Sequence, residues 1–317
     1  MPSPIRIATR GSALALWQAR TVATLLEQQG AQTDIVVVRT SGDEGSGPPD
    51  APRPNIKRMF VKEIEDALLH GDADVAVHSS KDLPAALPEA LTIGAALERA
   101  DPRDVMLLSD GLPTRDWPAV ARSLGDGPTI GTTSVRRIAQ LRSKFPHARF
   151  APLRGNVDTR VRKLDAGEYT AVVLAGAGIT RLGLATRISA YVPIEICVPA
   201  PGQGIVAVQL RIDADAALRS AVSRISDADA EAAMTAERAV VSALGGNCQM
   251  PLGVIARIDG QSIDVVGLVA SLDGRTTVRA TIRGNRGGAA AAGEKLAARL
   301  LSQGAATIIE EAQRPLT

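Results

Sequence analysis

Residues 129–175 read TIGTTSVRRIAQLRSKFPHARFAPLRGNVDTRVRKLDAGEYTAVVLA. Three short strand-like runs, Thr129–Gly131, Ala148–Pro152 and Ala171–Ala175, alternate with two stretches of helical pattern, Ser134–Lys144 and Asn156–Ala166. Gly167 stands where the second helix needs a left-handed C-terminal cap. Strands alternating with helices predict parallel strands joined by helical crossovers, in a sheet covered on both faces. Ligands of such sheets bind beyond the carboxyl ends of the strands. The loops after Gly131 and Ala175 therefore carry the chemistry.

The same rhythm precedes this stretch. Ile5–Ala8 reads as a strand, and Ser12 as the N-cap of a helix from about Ala13 to Gln29, ended by Gly30. Asp34–Arg39 holds a buried β-branched run. A long loop then runs from Thr40 to about Lys57, a length usually tied to function or motion. Phe60–His70 predicts an amphipathic helix with Val61, Ile64 and Leu68 on one side, closed by Gly71. Asp74–His78 is the next strand, running into Ser79-Ser80-Lys81-Asp82-Leu83-Pro84. The C-terminal part differs. Ala214–Leu244 is Ala-rich and helical, and three strands follow (Val254–Ile258, Ser262–Ala270, Thr276–Ile282) with Asp-Gly turns, then a helix over Ala289–Gln303. This predicts a small α+β domain with a three-stranded antiparallel sheet.

A chain of 317 residues, 45% hydrophobic and 22% charged, has the composition of a packed globular protein of two or three domains. Only seven residues are aromatic, which argues against base-stacking modules and aromatic-lined sugar clefts. The net charge of +2 gives no bulk electrostatic case for nucleic acid or a membrane surface. That average conceals an asymmetry. Residues 1–101 hold 10 basic and 14 acidic side chains, whereas residues 128–187 hold 11 basic and 3 acidic. A polyanionic ligand for the basic segment follows, and 30 of the 36 basic residues are arginine, whose fork suits carboxylates and phosphates. Cys197 and Cys248 are too few for a disulfide framework or a zinc site. His70, His78 and His147 are too scattered to predict a metal cluster. The first residues carry no apolar signal-peptide core, and no apolar run approaches a membrane span, so a cytoplasmic protein is expected.

Individual motifs sharpen the expectation. Gly131-Thr132-Thr133-Ser134-Val135-Arg136-Arg137 joins a strand to a helix N-terminus, where free N–H groups, hydroxyls and guanidiniums predict an anion site. Arg154-Gly155-Asn156-Val157-Asp158-Thr159-Arg160 repeats the arrangement more weakly, with Asn156 as a cap. Ala175-Gly-Ala-Gly-Ile-Thr-Arg181-Leu-Gly183 lacks the G-x-G-x-x-G spacing of a dinucleotide site, but leaves Arg181 as a ligand contact. Asp82 follows a strand and adjoins Lys81, a position suited to acid–base work. Cys248 lies in Gly245-Gly246-Asn247-Cys248-Gln249-Met250-Pro251, an open glycine-rich segment, whereas Cys197 reads as core.

Taken together and in order, these segments resemble the porphobilinogen deaminase (hydroxymethylbilane synthase) family over nearly the whole chain. The resemblance rests on Arg6-Ile-Ala-Thr-Arg10-Gly-Ser12, Leu14-Ala-Leu-Trp-Gln18, Thr40-Ser-Gly-Asp43, Phe60-Val-Lys-Glu63 and Ala76-Val-His-Ser-Ser-Lys-Asp82-Leu-Pro84. It continues through Asp101-Pro-Arg-Asp104, Gly131–Arg137, Leu153-Arg-Gly-Asn-Val157, Pro199-Ala-Pro-Gly-Gln-Gly204, Glu237-Arg238 and Cys248–Pro251. It implies two α/β domains of the type II periplasmic-binding-protein kind and a third, small domain. Their expected extents are 1–101 with 203–222, 102–202, and 223–317. It implies condensation of four porphobilinogens on a dipyrromethane cofactor, with Asp82 catalytic and Cys248 the thioether attachment. Arg10, Ser12, Lys57, Ser79, Lys81, Thr132, Ser134, Arg136, Arg137, Arg154, Arg160, Arg181 and Gln203 match substrate- or cofactor-binding positions. The implied protein is a monomer working without metal, nucleic acid or membrane. The alternative is a non-enzymatic or degenerate two-domain solute-binding protein for a polycarboxylate. Two departures from the family pattern stand out. The loop Arg53-Pro-Asn-Ile-Lys57-Arg58-Met59-Phe60 has lost the glycines usual there, and Asn247 and Met250 flank the cysteine in place of a small and a β-branched residue.

Overall fold

The computed structural model of the chain describes residues 3–39, 56–109, 116–245 and 250–313. It divides into two compact units, Met1–Arg99 with Ile205–Met234, and Ala100–Gly204 with Thr235–Thr317. The described strands form three sheets.

The first unit contains β1 (Ile5–Arg10), α1 (Ala13–Glu27), β2 (Thr33–Val38), α2 (Ile56–Leu69), β3 (Val75–Ser79) and β4 (Leu91–Ala96). The second begins with β5 (Asp104–Leu108), α3 (Trp117–Ser123), β6 (Thr129–Gly131), α4 (Val135–Arg142), β7 (Arg149–Ala151) and α5 (Val157–Asp165). It goes on to β8 (Ala171–Ala175), α6 (Gly176–Arg181) and β9 (Ala190–Tyr191). β10 (Val206–Arg211) and α7 (Ala216–Arg224) complete the first unit, and the division between units falls inside α8 (Ala228–Ala243). β11 (Leu252–Asp259), β12 (Ser262–Ala270), β13 (Thr277–Asn285), α9 (Ala289–Ser302) and α10 (Ala305–Gln313) close the chain.

The two five-stranded sheets share one plan. The first runs β2-β1-β3-β10-β4, with β1 parallel to β2 and β3, and β10 antiparallel to β3 and β4. The second runs β7-β6-β8-β5-β9, with β6 parallel to β7 and β8, and β5 antiparallel to β8 and β9. The all-parallel expectation is corrected here: each sheet carries one antiparallel strand. These strands pair far from their sequence neighbours, so no local periodicity announces their direction. The rest of the architecture agrees with the expected elements: two α/β sheets, and a β11-β12-β13 antiparallel sheet backed by the C-terminal helices.

Local signals explain the elements. Ser12 accepts the Ala15 N–H at the start of α1, and Ser134 accepts that of Arg137 at the start of α4. Gly30, Gly71 and Gly167 adopt positive φ after α1, α2 and α5. Asn156 occupies the N-cap position of α5 but makes no side-chain cap bond. The single helix expected over Ala214–Leu244 is two, because Asp227 restarts it: its carboxylate accepts from Ala230 N at 2.7 Å. Ile7, Val22, Leu26, Val75 and Val208 pack α1 onto the first sheet. Met106, Ile130, Leu141, Val173 and Cys197 form one core of the second unit. Ala139, Val198, Ile255 and Leu268 join the back of α4 to the C-terminal sheet.

Candidate active site

In the first unit the candidate residues gather at the carboxyl edge of the parallel strands. β3 is fully buried until Ser79, then turns through a single 3-10 turn, Ser80–Asp82. Both sides of that turn are pinned. Ser80 donates its N–H to Ile205 O at 3.0 Å, and Leu83 is buried among Val61, Ala96 and Met234. Lys81 and Asp82, held between, are half-buried. The Ser79 hydroxyl receives the Gln18 amide from α1 at 2.8 Å. Because β1 lies directly beside β3, Arg10 and Ser12 emerge at the same edge. A carboxylate on a pinned turn, with cations and hydroxyls at the same sheet edge, can hold an anionic ligand and exchange a proton with it. Lys57 sits in the first turn of α2, and its side chain lies outside the described residues.

Beneath this edge His78 is buried, its Nε2 lying 3.0 Å from Gln209 Oε1 on β10. Burial lowers its pKa to about 4, against opposing pulls from the Gln209 hydrogen bond and the Asp82 charge. The ring is neutral near pH 7.

In the second unit the strand-to-helix motif folds inward. Arg136 Nη1 lies 2.7 Å and Arg137 Nη2 2.8 Å from the two oxygens of Asp104, which is wholly buried. Arg136 also donates to Val198 O, and Arg137 to Val173 O. Gln203 Nε2 donates to Asp104 Oδ1 at 3.0 Å and to Pro102 O at 2.6 Å. Burial would raise the Asp104 pKa, yet the two guanidiniums outweigh it and hold the carboxyl far below the usual carboxylate range. The adjacent arginines thus converge on a protein carboxylate, with one negative charge set against two positive ones. Thr132 Oγ1 accepts the Ser134 N–H. Arg154 is exposed, and Arg160 Nε donates to Gly155 O at 2.8 Å across the same turn. Arg181 donates to Gly204 O at 2.7 Å, and burial pulls its pKa down to about 10.

Of the cysteines, Cys197 is core: burial pushes its thiol up to about 12, so it offers no thiolate. Cys248 lies outside the described residues, as do Asn247 and residues 40–55. The flanking Leu244 and Met250 are buried. Glu237 on α8 accepts the Gly202 N–H at 2.6 Å and the Ala256 N–H at 2.7 Å, tying Pro199–Gly204 to β11.

Asp104, Gln18, Gln209 and Glu237 received no role from the sequence. A signal existed for two of them: Asp104 opens the apolar run Val-Met-Leu-Leu, and Gln209 interrupts Ile-Val-Ala-Val-Gln-Leu. A lone polar residue in a buried strand demands a partner.

Comparison with known proteins gives a consistent picture. Residues 5–219 match the family model described as "Porphobilinogen deaminase, dipyromethane cofactor binding domain", and residues 232–302 match "Porphobilinogen deaminase, C-terminal domain". A protein of Bordetella parapertussis named porphobilinogen deaminase is 44% identical over 311 residues, 97% of this chain and 96% of its own. Another of that name from Syntrophomonas wolfei is 43% identical over 98% of this chain and 99% of its own.

Proposed function

The chain belongs to the porphobilinogen deaminase family, and from that premise we propose that Asp82 is its catalytic carboxylate and Cys248 the thioether anchor of its dipyrromethane cofactor. The protein joins four porphobilinogens head to tail, releasing ammonia at each condensation, to give the linear hydroxymethylbilane of haem biosynthesis. This makes it a transferase. The solute-binding alternative is not favoured, since the family model and the named relatives are those of the enzyme.

The residues present suit the cofactor. Each pyrrole of the oligomer bears an acetate and a propionate, and the donor set is guanidiniums, two ammoniums and hydroxyls. The pair Arg136–Arg137 retains one positive charge after Asp104 is counted, which a ligand carboxylate can balance. Arg10, Ser12, Lys57, Ser79 and Lys81 in one unit, and Thr132, Ser134, Arg154, Arg160, Arg181 and Gln203 in the other, are assigned to ligand binding. When bound, the dipyrromethane supplies the pyrrole carbon to which the first new ring is joined.

The carrying observation is the pinned turn that holds Asp82 half-buried beyond β3. A carboxyl there gives its proton to the leaving amine as the C–N bond of porphobilinogen breaks. As carboxylate it stabilises the resulting azafulvenium cation. It then takes the α-proton lost from the pyrrole when the new C–C bond has formed. Proton count and charge return to their starting values after each cycle.

The division of labour proposed is Asp82 on residues 1–101 with 203–222, the arginines on 102–202, and the cofactor cysteine on 223–317. The reading also places the protein in the cytoplasm as a monomer that requires no metal or nucleic acid. Among the described residues no helix is long and apolar enough to cross a membrane. The test is twofold: intact mass of the purified protein, and porphobilinogen consumption. The expected mass exceeds the bare chain by two pyrrole units and falls to the bare chain in Cys248→Ser. A bare wild-type chain that consumes no porphobilinogen would overturn the reading.

A further inference from the structure

The buried chain under the Asp82 turn has a definite direction. Gln209 Nε2 lies 2.9 Å from Glu65 Oε1 on α2, and Gln209 Oε1 lies 3.0 Å from His78 Nε2 on β3. The amide nitrogen of Gln209 donates to Glu65, which leaves its oxygen to face His78. That oxygen in turn requires Nε2 of His78 to carry the proton. All three residues are buried, and 131 and 144 positions of sequence separate Gln209 from its two partners. Isolated polar groups in a core are costly, and three apolar residues would fill the space more simply. The chain ends four residues before Asp82, whose charge acts on the ring, and Glu65 on α2 lies at its other end.

We infer that His78–Gln209–Glu65 is a positioning device for Asp82: held to β10 as its Nε2–H tautomer, His78 fixes the end of β3 from which the Asp82 turn leaves and sets an uncharged ring beneath the carboxyl. The inference rests on the catalytic role proposed for Asp82. A carboxyl that must hold a proton for the leaving amine is disabled by an imidazolium neighbour, because an opposite charge favours its ionised form. Burial of the ring, together with an amide oxygen rather than a carboxylate at Nε2, keeps that neighbour neutral. His78 never touches the reacting atoms here; it acts through Asp82.

Two measurements test this. The chain has three histidines, so a nitrogen-15 histidine spectrum of the holoenzyme contains three imidazoles, and His78→Gln identifies the relevant one. The expected signature is a protonated Nε2, a bare Nδ1 and no titration from pH 8 to 5.5. A Nδ1–H tautomer, or titration near 6.5, would overturn the proposal whether or not the enzyme is active. The second measurement is kinetic. His78→Leu is expected to lower kcat about ten- to a hundred-fold with KM for porphobilinogen nearly unchanged, the cost of a slightly misplaced catalytic group. His78→Gln, which can present its own N–H to Gln209, is expected to recover most of that loss. Wild-type kcat in His78→Leu, or no recovery in His78→Gln, sinks the idea. If His78→Leu fails to fold, Gln209→Leu breaks the same link from the other strand and must show the same split. A wild-type protein with the expected imidazole signature but no turnover would instead count against the functional reading.

Discussion

The two five-stranded sheets solve the same topological problem with opposite chemistry. Each has four parallel strands, one antiparallel insert and a serine-capped helix after the second strand of its order. Beyond β3 the first unit presents a carboxylate, Asp82; beyond β8 the second carries a guanidinium, Arg181. Their buried polar groups differ likewise. The first holds His78 neutral through an amide, while the second buries Asp104 ionised between two arginines. A shared backbone plan therefore fixes where functional loops emerge and leaves their charge free to diverge.

Four experiments would break or sharpen that contrast. The largest effect is expected on chemistry. Asp82→Asn should lower turnover by about 10²–10⁴-fold, the usual scale of a general acid–base group, while leaving the urea midpoint in place. Near-wild-type turnover would remove Asp82 from the mechanism. In the other unit, Asp104→Ala leaves two buried guanidiniums uncompensated, which should cost about 3–5 kcal/mol of stability. Urea unfolding followed at Trp117, in a Trp17→Phe background, reads this directly; a loss below about 1 kcal/mol would mean that the cluster relaxes into water.

Acid should separate the units. The His78 pKa is about 4 in the folded chain and about 6.5 unfolded, so between these values the unfolded state binds more protons. Stability is therefore complete above pH 6.5 and declines as pH falls toward 4, by about 3 kcal/mol in total. Asp104 is depressed instead, so its contribution persists to below the ordinary carboxylate range. Trp17 should thus report weakening at a higher pH than Trp117, in single-tryptophan variants. Coincident curves would show that the units unfold together. The smallest contrast concerns the strand ends. A Cβ at Gly131 would meet the Tyr169 ring at 2.8 Å and Val172 at 3.0 Å, whereas at Gly11 its nearest neighbour is Val37 at 3.5 Å. Gly131→Ala should cost about 1–3 kcal/mol by overpacking, and Gly11→Ala less than about 0.5 kcal/mol. Equal thermal shifts would deny the difference in packing.

Much of the first unit was legible along the chain. Ser12, Gly30 and Gly71 punctuate helices by local rules, and the Asp82 turn follows a recognisable buried strand. β10 was not legible, because an apolar run that pairs antiparallel looks the same in sequence as one that pairs parallel. The arginines illustrate the other limit. Arg136 and Arg137 sit at a helix start, where sequence favours a bound anion; the anion they meet is Asp104, 32 and 33 positions away.

By itself, then, the sequence determined what depends on near neighbours: the strand–helix rhythm, the capped helix starts, the motif order that identifies the family, and the carboxylate beside Lys81. Tertiary structure alone decided strand direction in β5 and β10, the inward turn of the two arginines, and the neutral ring beneath Asp82. Those features join groups about 30 to 145 positions apart. Their energy comes from desolvation and charge pairing that exist only once the chain has folded.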